Sequence, residues 1–167
     1  VLIGDLDSIS ESARNWLQHQ GAELIELPVA KDITDTEAAL RLVTERGADE
    51  VTVFGALGGP RLDHLLGNIM LLGAEWLAGR RVRLVDEHHE IYLALGDVSI
   101  QGSEGDTVSL VPLSAAVSNI YTQGLLYPLD GETLYYTAVR GISNSLVNPT
   151  ARVTHGDGTL LIIHYRP

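Results

Sequence analysis

The chain has 167 residues, 45% of them hydrophobic and 20% charged, as is typical of a globular protein with one large or two small domains. Its formal net charge of −11 repels phosphate backbones, which disfavours nucleic acid as a partner. The absence of Cys excludes disulfides, thiolate metal sites and a Cys nucleophile, so any metal must be held by oxygen or imidazole ligands, as Mg²⁺ is.

The first residues, Val1-Leu2-Ile3, have neither the basic start nor the cleavage site of a signal peptide. No apolar run reaches the length of about 18 residues that a transmembrane helix needs. We therefore expect a cytoplasmic protein with no membrane segment. Because the chain begins without Met and within a predicted strand, we also expect an N-terminal piece to precede Val1.

The hydrophobic pattern divides the chain into two halves. Residues 1–86 alternate short apolar runs with segments of helical period, and residues 87–167 contain short β-rich runs broken by Gly, Asn, Asp and Pro. Strands that alternate with helices predict a parallel sheet covered by crossover helices, a Rossmann-like α/β domain. The second half predicts an antiparallel β-sandwich or barrel. We expect the two domains to meet near residues 86–90.

In the first half, three strand–helix units follow one another. Capping-box spacing at Ser8–Glu11 and Thr34–Glu37 predicts two helix starts. Gly21 and Gly47 would end these helices. The predicted strands are Val1–Ile3, Glu23–Leu27, Val51–Phe54 and Val82–Val85. The third helix follows a glycine-rich loop at 55–60. Side chains expected to pack on the core from helices are Trp16, Leu62, Leu65, Leu66, Ile69, Met70, Trp76 and Leu77.

In the second half, six segments have the residue types of strands. They are Ile91–Leu95, Val108–Pro112, Val117–Gln123, Thr133–Val139, Ala151–His155 and Thr159–Tyr165. Turns are predicted at Gly102-Ser103, at Asp130-Gly131 and at 156–158.

Polar residues follow each of the first three predicted strands. Asp5 and Asp7 follow the first strand, the segment 31–35 follows the second, and the segment 55–64 follows the third. Ligands of parallel sheets bind beyond the carboxyl ends of the strands. We therefore expect these three clusters to converge along one sheet edge.

Asp5 and Asp7 are two residues apart, and an extended chain would point both side chains the same way. Paired carboxylates suit a divalent ion, although capping of the next helix by Asp7 and Ser8 is the simpler explanation of this pair alone. Several carboxylates at one sheet edge would repel one another without a cation, which favours a metal. The further carboxylates from equivalent positions are Asp32, Asp35 and Asp63.

Lys31 is the only Lys in the chain, and it lies at the start of a predicted helix, where the helix dipole disfavours a cation. A phosphate-facing role would explain this position. A solvated loop Lys is the alternative, and the sequence pattern does not decide between the two.

The glycine-rich loop at 55–60 precedes a predicted helix N-terminus, where backbone N–H groups can bind an anion. Arg61 adds a charged fork, and His64 and Asn68 share a helix face with Asp63 beside them. A phosphate and a metal-bound oxygen could both be reached from these side chains. The loop matches neither the nucleotide phosphate-loop motif nor the dinucleotide fingerprint, so its glycines alone do not identify a nucleotide site.

Several motifs, taken in order, are more specific than any of them alone. The first half contains Gly4-Asp5-Leu6-Asp7-Ser8, Asp32-Ile33-Thr34-Asp35 and Gly58–His64 with Asn68. The second half contains Thr122–Leu129, Gly141-Ile142-Ser143-Asn144 and Gly158–Leu161. This combination resembles the thiamine pyrophosphokinase (thiamine diphosphokinase) family over nearly all of the chain. Pro60 departs from the commoner family pattern, in which Arg follows the glycines directly, and an upstream strand with an Ala-Asp-Gly-Gly-like motif would precede Val1.

The resemblance implies transfer of the β,γ-diphosphoryl group of ATP to the hydroxyethyl oxygen of thiamine, which gives thiamine diphosphate and AMP. It also implies Mg²⁺ as cofactor, an α/β catalytic domain, a β-rich thiamine-binding domain, and a homodimer with active sites at the subunit interface. The resemblance implies that Mg²⁺ is bound by Asp5, Asp7 and Asp35, and that the catalytic residues are Asp63, Arg61 and Asp7. It implies that nucleotide and phosphates are bound by Lys31, Asp32, Thr34, Arg61, His64 and Asn68. The implied thiamine-binding residues are Ser143 and Asn144.

Asp63 is expected to orient the thiamine hydroxyl or to accept its proton, because it lies beside Arg61 and His64. Two alternatives stay open. An apolar strand before Asp5-Leu6-Asp7 also resembles haloacid-dehalogenase-like phosphatases, which form an aspartyl-phosphate but need a later Lys that this chain lacks. The second alternative is a sensor that binds nucleotide and thiamine without turnover.

Overall fold

The computed structural model describes residues 1–167 and contains three α-helices and twelve β-strands. By its internal contacts the chain forms two compact units, Val1–Ala48 and Asp49–Pro167. None of the helices has the length and apolar character needed to cross a lipid bilayer.

The first unit contains two strands and two helices. Its elements are β1 (Leu2–Gly4), α1 (Glu11–His19), β2 (Leu24–Glu26) and α2 (Asp35–Glu45). The strands β1 and β2 pair in parallel, with Leu2 opposite Leu24, and α2 lies against β1. This arrangement brings the end of β1 to the start of α2.

Both helices of the first unit begin at hydroxyl caps. The Thr34 Oγ1 atom accepts a hydrogen bond from the Glu37 N–H at 3.1 Å, which confirms the cap predicted there. The cap of α1 is Ser10, whose Oγ accepts from the Ala13 N–H at 3.2 Å, so the helix start predicted at Ser8 is wrong by two residues. Neither Asp7 nor Ser8 caps this helix, and capping therefore does not explain Asp7.

The second unit contains one α-helix, one 3-10 turn and ten strands. They are β3 (Glu50–Phe54), α3 (Leu62–Leu71), the 3-10 turn (Glu75–Leu77), β4 (Arg81–Val85), β5 (His89–Leu93), β6 (Val98–Gln101), β7 (Thr107–Pro112), β8 (Ala116–Gln123), β9 (Asp130–Tyr135), β10 (Asn144–Ser145), β11 (Thr150–Thr154) and β12 (Leu160–Tyr165).

These strands form a six-stranded sheet in the order β10-β7-β12-β5-β4-β3 and an antiparallel four-stranded sheet in the order β6-β11-β8-β9. The main apolar core is made by residues of both sheets, among them Val108 and Leu160 of the first and Val117 and Val153 of the second, all fully buried. The predicted antiparallel packing of the second half is therefore present.

The structure does not clearly show the single parallel sheet expected for the first half. The parallel pairs β1–β2 and β3–β4 belong to different sheets, and β4 continues into antiparallel pairing with β5. The Asp86 carboxylate accepts the His88 and His89 N–H groups at 2.8 and 2.7 Å and so stabilises the tight turn between β4 and β5. By internal contacts the chain divides between Ala48 and Asp49, and the boundary expected near residues 86–90 stays a prediction.

The apolar stripe predicted for α3 is present but is not buried. Leu62, Leu66 and Met70 lie at four-residue spacing and are at least half exposed, and no residue of α3 is buried. Trp16 is also exposed, whereas Leu77 is buried as predicted. Periodicity identifies residues that share a helix face, but it does not show whether another element covers that face.

A buried hydrogen bond joins β12 of the six-stranded sheet to the loop that precedes β7. The Asp106 Oδ2 atom lies 2.9 Å from His164 Nε2 and accepts the Ser103 N–H at 2.9 Å. Burial raises the pKa of Asp106, but the hydrogen bonds from Ser103 and His164 outweigh it and leave this pKa below its usual value. The Leu146 N–H donates to the Asp106 carbonyl at 2.9 Å, so the same residue also holds the segment after β10.

We expect Asp106→Asn to lower the free energy of unfolding near neutral pH by about 2 kcal/mol, because His164 loses its buried anionic partner. The folded-state pKa of Asp106 is lowered, so its stabilisation is complete above about pH 4 and is lost as pH falls through the lowered value. Urea unfolding at several pH values should show native and variant stabilities converging in acid. The control is Asp97→Asn, which removes a carboxylate from an exposed ion pair with Arg152 and should lower the free energy of unfolding by less. A pH-independent difference would contradict this account.

Candidate active site

The first candidate cluster lies where β1 ends. Leu6 has a φ of 60°, a left-handed conformation uncommon for a residue with a side chain, so the extended path expected from Asp5 to Asp7 is wrong. This turn lets the Asp7 N–H donate to Asp5 Oδ1 at 3.3 Å. The Asp5 side chain is mostly buried, and Asp7 is exposed beside it.

The Lys31 ammonium lies between two carboxylates. Its Nζ atom donates to Asp5 Oδ2 at 3.4 Å and forms an ion pair with Asp35 Oδ1 at 3.0 Å. The Lys31 side chain is only 14% exposed, so the alternative of a solvated loop Lys is wrong. The Oδ1 atom of Asp35 is buried and, despite the nearby ammonium, has no partner with hydrogen-bond geometry.

Gly4 allows the Asp35 carboxylate to approach the end of β1. Gly4 has a φ of 152°, and a Cβ atom placed there would lie 3.1 Å from Asp35 Oδ2. Asp35 is the first residue of α2, where the helix N-terminus favours a negative charge. Backbone and helix therefore place this carboxylate beside Asp5 before any ligand binds.

The interactions within this cluster shift the pKa values of Asp5 and Lys31 toward their charged forms. The backbone hydrogen bond from Asp7, together with Lys31, holds the pKa of Asp5 below its ordinary value. The Asp35 carboxylate, and after it Asp5, raises the pKa of Lys31. All of these interactions favour the charged forms, so at neutral pH the site holds an ammonium between carboxylates.

The donor set at this cluster fits Mg²⁺. No group of three or more His, Cys, Asp or Glu side chains converges in an arrangement that could hold a metal by itself. Protein-bound Mg²⁺ is, however, usually held by one or two carboxylates together with waters and substrate phosphates. Asp5 and Asp35 supply two such carboxylates, and the Asp35 Oδ1 atom, which pairs with Lys31 without hydrogen-bond geometry, could serve as a ligand atom.

Two further residues predicted for the nucleotide lie just before α2. Asp32 is exposed, three residues before the helix starts. The Thr34 hydroxyl oxygen already accepts the hydrogen bond that caps α2. Thr34 is therefore a structural residue in this unit, and any contact with a ligand would be made in addition to its capping bond.

In the second unit, Arg61 and Asp63 form a two-pronged ion pair before and within the first turn of α3. The distances are 2.9 Å from Arg61 Nε to Asp63 Oδ1 and 2.6 Å from Arg61 Nη2 to Asp63 Oδ2. Both side chains are largely exposed. Arg61 holds the pKa of Asp63 far below its ordinary value, so Asp63 is ionised and, in this pair, a poor proton acceptor.

The other two predicted residues of α3 have different surroundings. His64 is exposed on the first turn. The Asn68 Nδ2 group donates to the Ala56 carbonyl at 2.9 Å and ties the glycine-rich loop to the helix. The Asn68 amide group, which the resemblance assigns to the nucleotide, therefore positions the glycine-rich loop.

The segment that contains Ser143 and Asn144 is fixed against β7. The Leu110 N–H donates to the Gly141 carbonyl at 2.8 Å, and a Cβ atom at Gly141 would collide with the Leu110 carbonyl, so only Gly allows this approach. The Ser143 N–H donates to Ser109 Oγ at 3.0 Å, and the Ser143 side chain is exposed. Ser109 is buried in β7, and nothing in the local sequence indicates this role.

Asn144 differs from Ser143 because its side chain is used within the protein. Its Oδ1 atom accepts the Tyr127 N–H at 3.0 Å and the Ser145 N–H at 2.9 Å, and its Nδ2 group donates to the Tyr127 carbonyl at 2.7 Å. Asn144 is also buried. The Asn144 amide therefore positions Tyr127, and contact of Ser143 and Asn144 with thiamine stays a prediction.

A cavity of about 280 Å³ lies beside this segment. Its lining includes Leu110, Tyr127, Leu129, Val139, Ile142 and Asn144. A larger cavity, of about 570 Å³, lies on the four-stranded sheet next to the Asp97–Arg152 ion pair and is lined by none of the predicted site residues. The smaller cavity is therefore the one next to the predicted thiamine residues Ser143 and Asn144.

Two family models match the chain in succession. The first is described as thiamin pyrophosphokinase, catalytic domain, and matches residues 1–84; the second is described as thiamin pyrophosphokinase, vitamin B1 binding domain, and matches residues 88–160. The chain belongs to the thiamin pyrophosphokinase family. The resemblance drawn from its motifs is confirmed.

Individual members of the thiamin pyrophosphokinase family are similar over nearly the whole chain. The thiamine pyrophosphokinase of Bacillus subtilis is 31% identical over 162 residues, which are 96% of this chain and 75% of that protein. Its crystal structure superposes with a TM-score of 0.86 at 29% identity, covering 99% of this chain and 78% of that one. A thiamin pyrophosphokinase family protein from Enterococcus faecalis gives a TM-score of 0.87 at 27% identity, covering 100% and 80%. The fold is thus the thiamin pyrophosphokinase fold.

We expect Asn144→Ala to lower the free energy of unfolding by about 2 kcal/mol, because two backbone groups of Tyr127 lose their partner. Ser143→Ala is the matched control and should change stability little, since Ser143 contacts Ser109 through its backbone. Urea unfolding of both variants measures this contrast. Equal stabilities for the two variants would contradict the positioning role of Asn144.

Proposed function

We propose that this chain is a thiamine diphosphokinase, which transfers the β,γ-diphosphoryl group of ATP to the hydroxyethyl oxygen of thiamine and releases AMP. The observation that carries the proposal is the ordered match of a catalytic domain and a vitamin B1 binding domain along one chain. We assign ATP and Mg²⁺ to residues 1–86 and thiamine to residues 87–167. This division is one of function, since the sheet pairing of β4 with β5 crosses it.

At the phosphate end, we assign Mg²⁺ to Asp5, Asp7 and Asp35. When bound, the ion neutralises charge on the phosphates and aligns the transferring group. The contact of both Asp5 and Asp35 with the Lys31 ammonium supports this assignment. We assign phosphate and nucleotide binding to the remaining polar residues before α2, which are Lys31, Asp32 and Thr34; the helix N-terminus favours anions there.

Arg61 and Asp63 are assigned to the reacting groups. The guanidinium fork of Arg61 binds carboxylate and phosphate oxygens in the same two-pronged way, so a triphosphate would compete with Asp63 for it. Asp63, as an ionised acceptor, takes a hydrogen bond from the thiamine hydroxyl and orients its oxygen for in-line attack. Arg61 lowers the pKa of Asp63 only while the pair is intact, so a carboxylate freed by the triphosphate can also accept the hydroxyl proton as AMP leaves.

His64 and Asn68 complete the phosphate-binding part of α3. His64 is exposed on the first turn and can donate to a phosphate oxygen. Asn68 acts through the glycine-rich loop, which it holds at the Ala56 carbonyl. That loop precedes the N-terminus of α3, so its backbone N–H groups are suited to binding phosphate.

At the thiamine end, the proposed contacts are the exposed Ser143 hydroxyl and Asn144, whose amide also keeps Tyr127 in place. Tyr127, Val139 and Ile142 are exposed apolar side chains at the adjacent cavity. Such a surface suits an aromatic cation like thiamine, and it also suits a protein partner. It therefore supports the proposal of a homodimer whose active sites lie at the subunit interface.

We also propose a cytoplasmic enzyme whose partners are ATP, thiamine and a second copy of the chain, with no nucleic acid or membrane partner. The net charge of −11 supports the exclusion of nucleic acid, because a strongly acidic surface repels phosphate backbones.

The first test is AMP formation from Mg-ATP with and without thiamine, measured on the complete natural chain. Thiamine-dependent AMP, with one thiamine diphosphate formed for each AMP, is the expected result. Phosphate release from simple esters without thiamine would favour a haloacid-dehalogenase-like phosphatase instead. Binding of both ligands without AMP would favour a non-catalytic sensor.

We expect Asp63→Asn to lower kcat/KM for thiamine about 100-fold, because the variant loses the charge that orients the hydroxyl. Asp97→Asn is a matched control, since it also removes a carboxylate from an exposed Arg pair but lies outside the proposed site. Steady-state kinetics of the two variants provide the comparison. Near-native turnover of Asp63→Asn would remove Asp63 from the mechanism.

A further inference from the structure

Phosphate binding alone does not explain the position of the Lys31 ammonium. Its Nζ atom lies 3.0 Å from Asp35 Oδ1 and 3.4 Å from Asp5 Oδ2, and its side chain is 14% exposed. Asp5 and Asp35 are two of the three carboxylates that the proposed function assigns to Mg²⁺. One cationic side chain thus contacts two proposed metal ligands at once.

The two carboxylates are held in place by the fold and not only by Lys31. Gly4 leaves room for Asp35, and the N-terminus of α2 stabilises its charge. Asp5 is held from the other side by the N–H of Asp7. Two carboxylates held around one ammonium would repel each other if no cation lay between them. Lys31 supplies that positive charge in the structure.

An ammonium is an incomplete partner for this pair. One positive charge leaves one of the two carboxylate charges unbalanced, and Asp35 Oδ1 has no hydrogen bond even with Nζ nearby. A divalent cation would balance both charges and could use that oxygen as a ligand. Ammonium and metal would repel each other at contact distance, so the carboxylates serve one cation at a time.

We propose that Lys31 is the internal counter-ion of the metal-free site, where it holds Asp5 and Asp35 together until a divalent cation binds them and displaces the ammonium. The displaced ammonium then reaches the phosphates of the nucleotide. Lys31 is in this sense a positioning residue for the metal before it is a phosphate ligand. The inference rests on the proposed assignment of Asp5 and Asp35 to the metal.

The test measures metal binding without nucleotide and without turnover. Mn²⁺ shares the preference of Mg²⁺ for oxygen ligands, and the electron paramagnetic resonance signal of the free ion reports its binding to the metal-free protein. Lys31→Met removes the charge and keeps the apolar stem. Arg14→Met is the matched control, because it removes a cation from an ion pair with Glu26 in the same unit.

We expect Lys31→Met to bind Mn²⁺ at least about threefold more tightly than the native protein, because the competing charge is gone, and Mg²⁺ to displace the Mn²⁺. Arg14→Met should bind Mn²⁺ like the native protein. In EDTA, Lys31→Met should melt at a lower temperature than Arg14→Met, and added Mg²⁺ should raise its melting temperature more. Lys31→Gln carries the same expectations if Lys31→Met does not fold.

Two further outcomes separate this inference from the proposed function. In the first outcome, Asp5→Asn weakens Mn²⁺ binding, but Lys31→Met and Lys31→Gln leave it unchanged or weaken it. This result would overturn the counter-ion role of Lys31 and leave the metal site in place. In the second outcome, Asp5→Asn and Asp35→Asn both leave Mn²⁺ binding unchanged. This result would overturn the assignment of the metal to these residues, and the inference about Lys31 with it. Thiamine-dependent AMP formation tests the activity separately.

Discussion

The candidate site of the first unit depends on one electrostatic constraint, the approach of two carboxylates to each other. The fold enforces this approach through a glycine at the end of β1 and through the helix that begins at Asp35. Such an arrangement is stable only with a cation, and the single Lys of the chain provides one. The short parallel pair β1–β2 and the packing of α2 on β1 hold these charged side chains in position.

In the second unit, amide side chains give the site its shape by binding backbone. Asn68 holds the glycine-rich loop, and Asn144 holds both backbone groups of Tyr127. Each amide satisfies backbone groups of a loop that has no regular ladder partner. The residues left exposed for ligands are their neighbours, such as His64 and Ser143. In both motifs a side chain that binds backbone thus lies near one that remains exposed.

The sequence predicts most elements of this fold, because apolar alternation and capping residues act locally. It predicts Thr34 as a helix cap and the positions of β5, β7, β8, β11 and β12. The strand predicted at Thr133–Val139 shares only three residues with β9, which contains the expected turn at Asp130-Gly131, and β6 and β10 are not predicted. The sheet assignment fails because nothing local shows that β4 turns back onto β5. Motifs likewise identify Asp5, Asp35, Arg61 and Asp63, whereas the internal use of Asn144 depends on Tyr127, 17 residues away.

The strand order of the six-stranded sheet also bears on how the protein folds during synthesis. Strand β12, the last of the sheet in sequence, lies between β7 and β5 and is hydrogen-bonded to both. During synthesis, β5 and β7 emerge from the ribosome well before residues 160–165. Until β12 follows, the edges of these strands that pair with it lack hydrogen-bond partners. Such edges are templates for association with other chains. Closure by β12 is therefore the step at which a nascent chain stops being prone to aggregation and its core becomes complete.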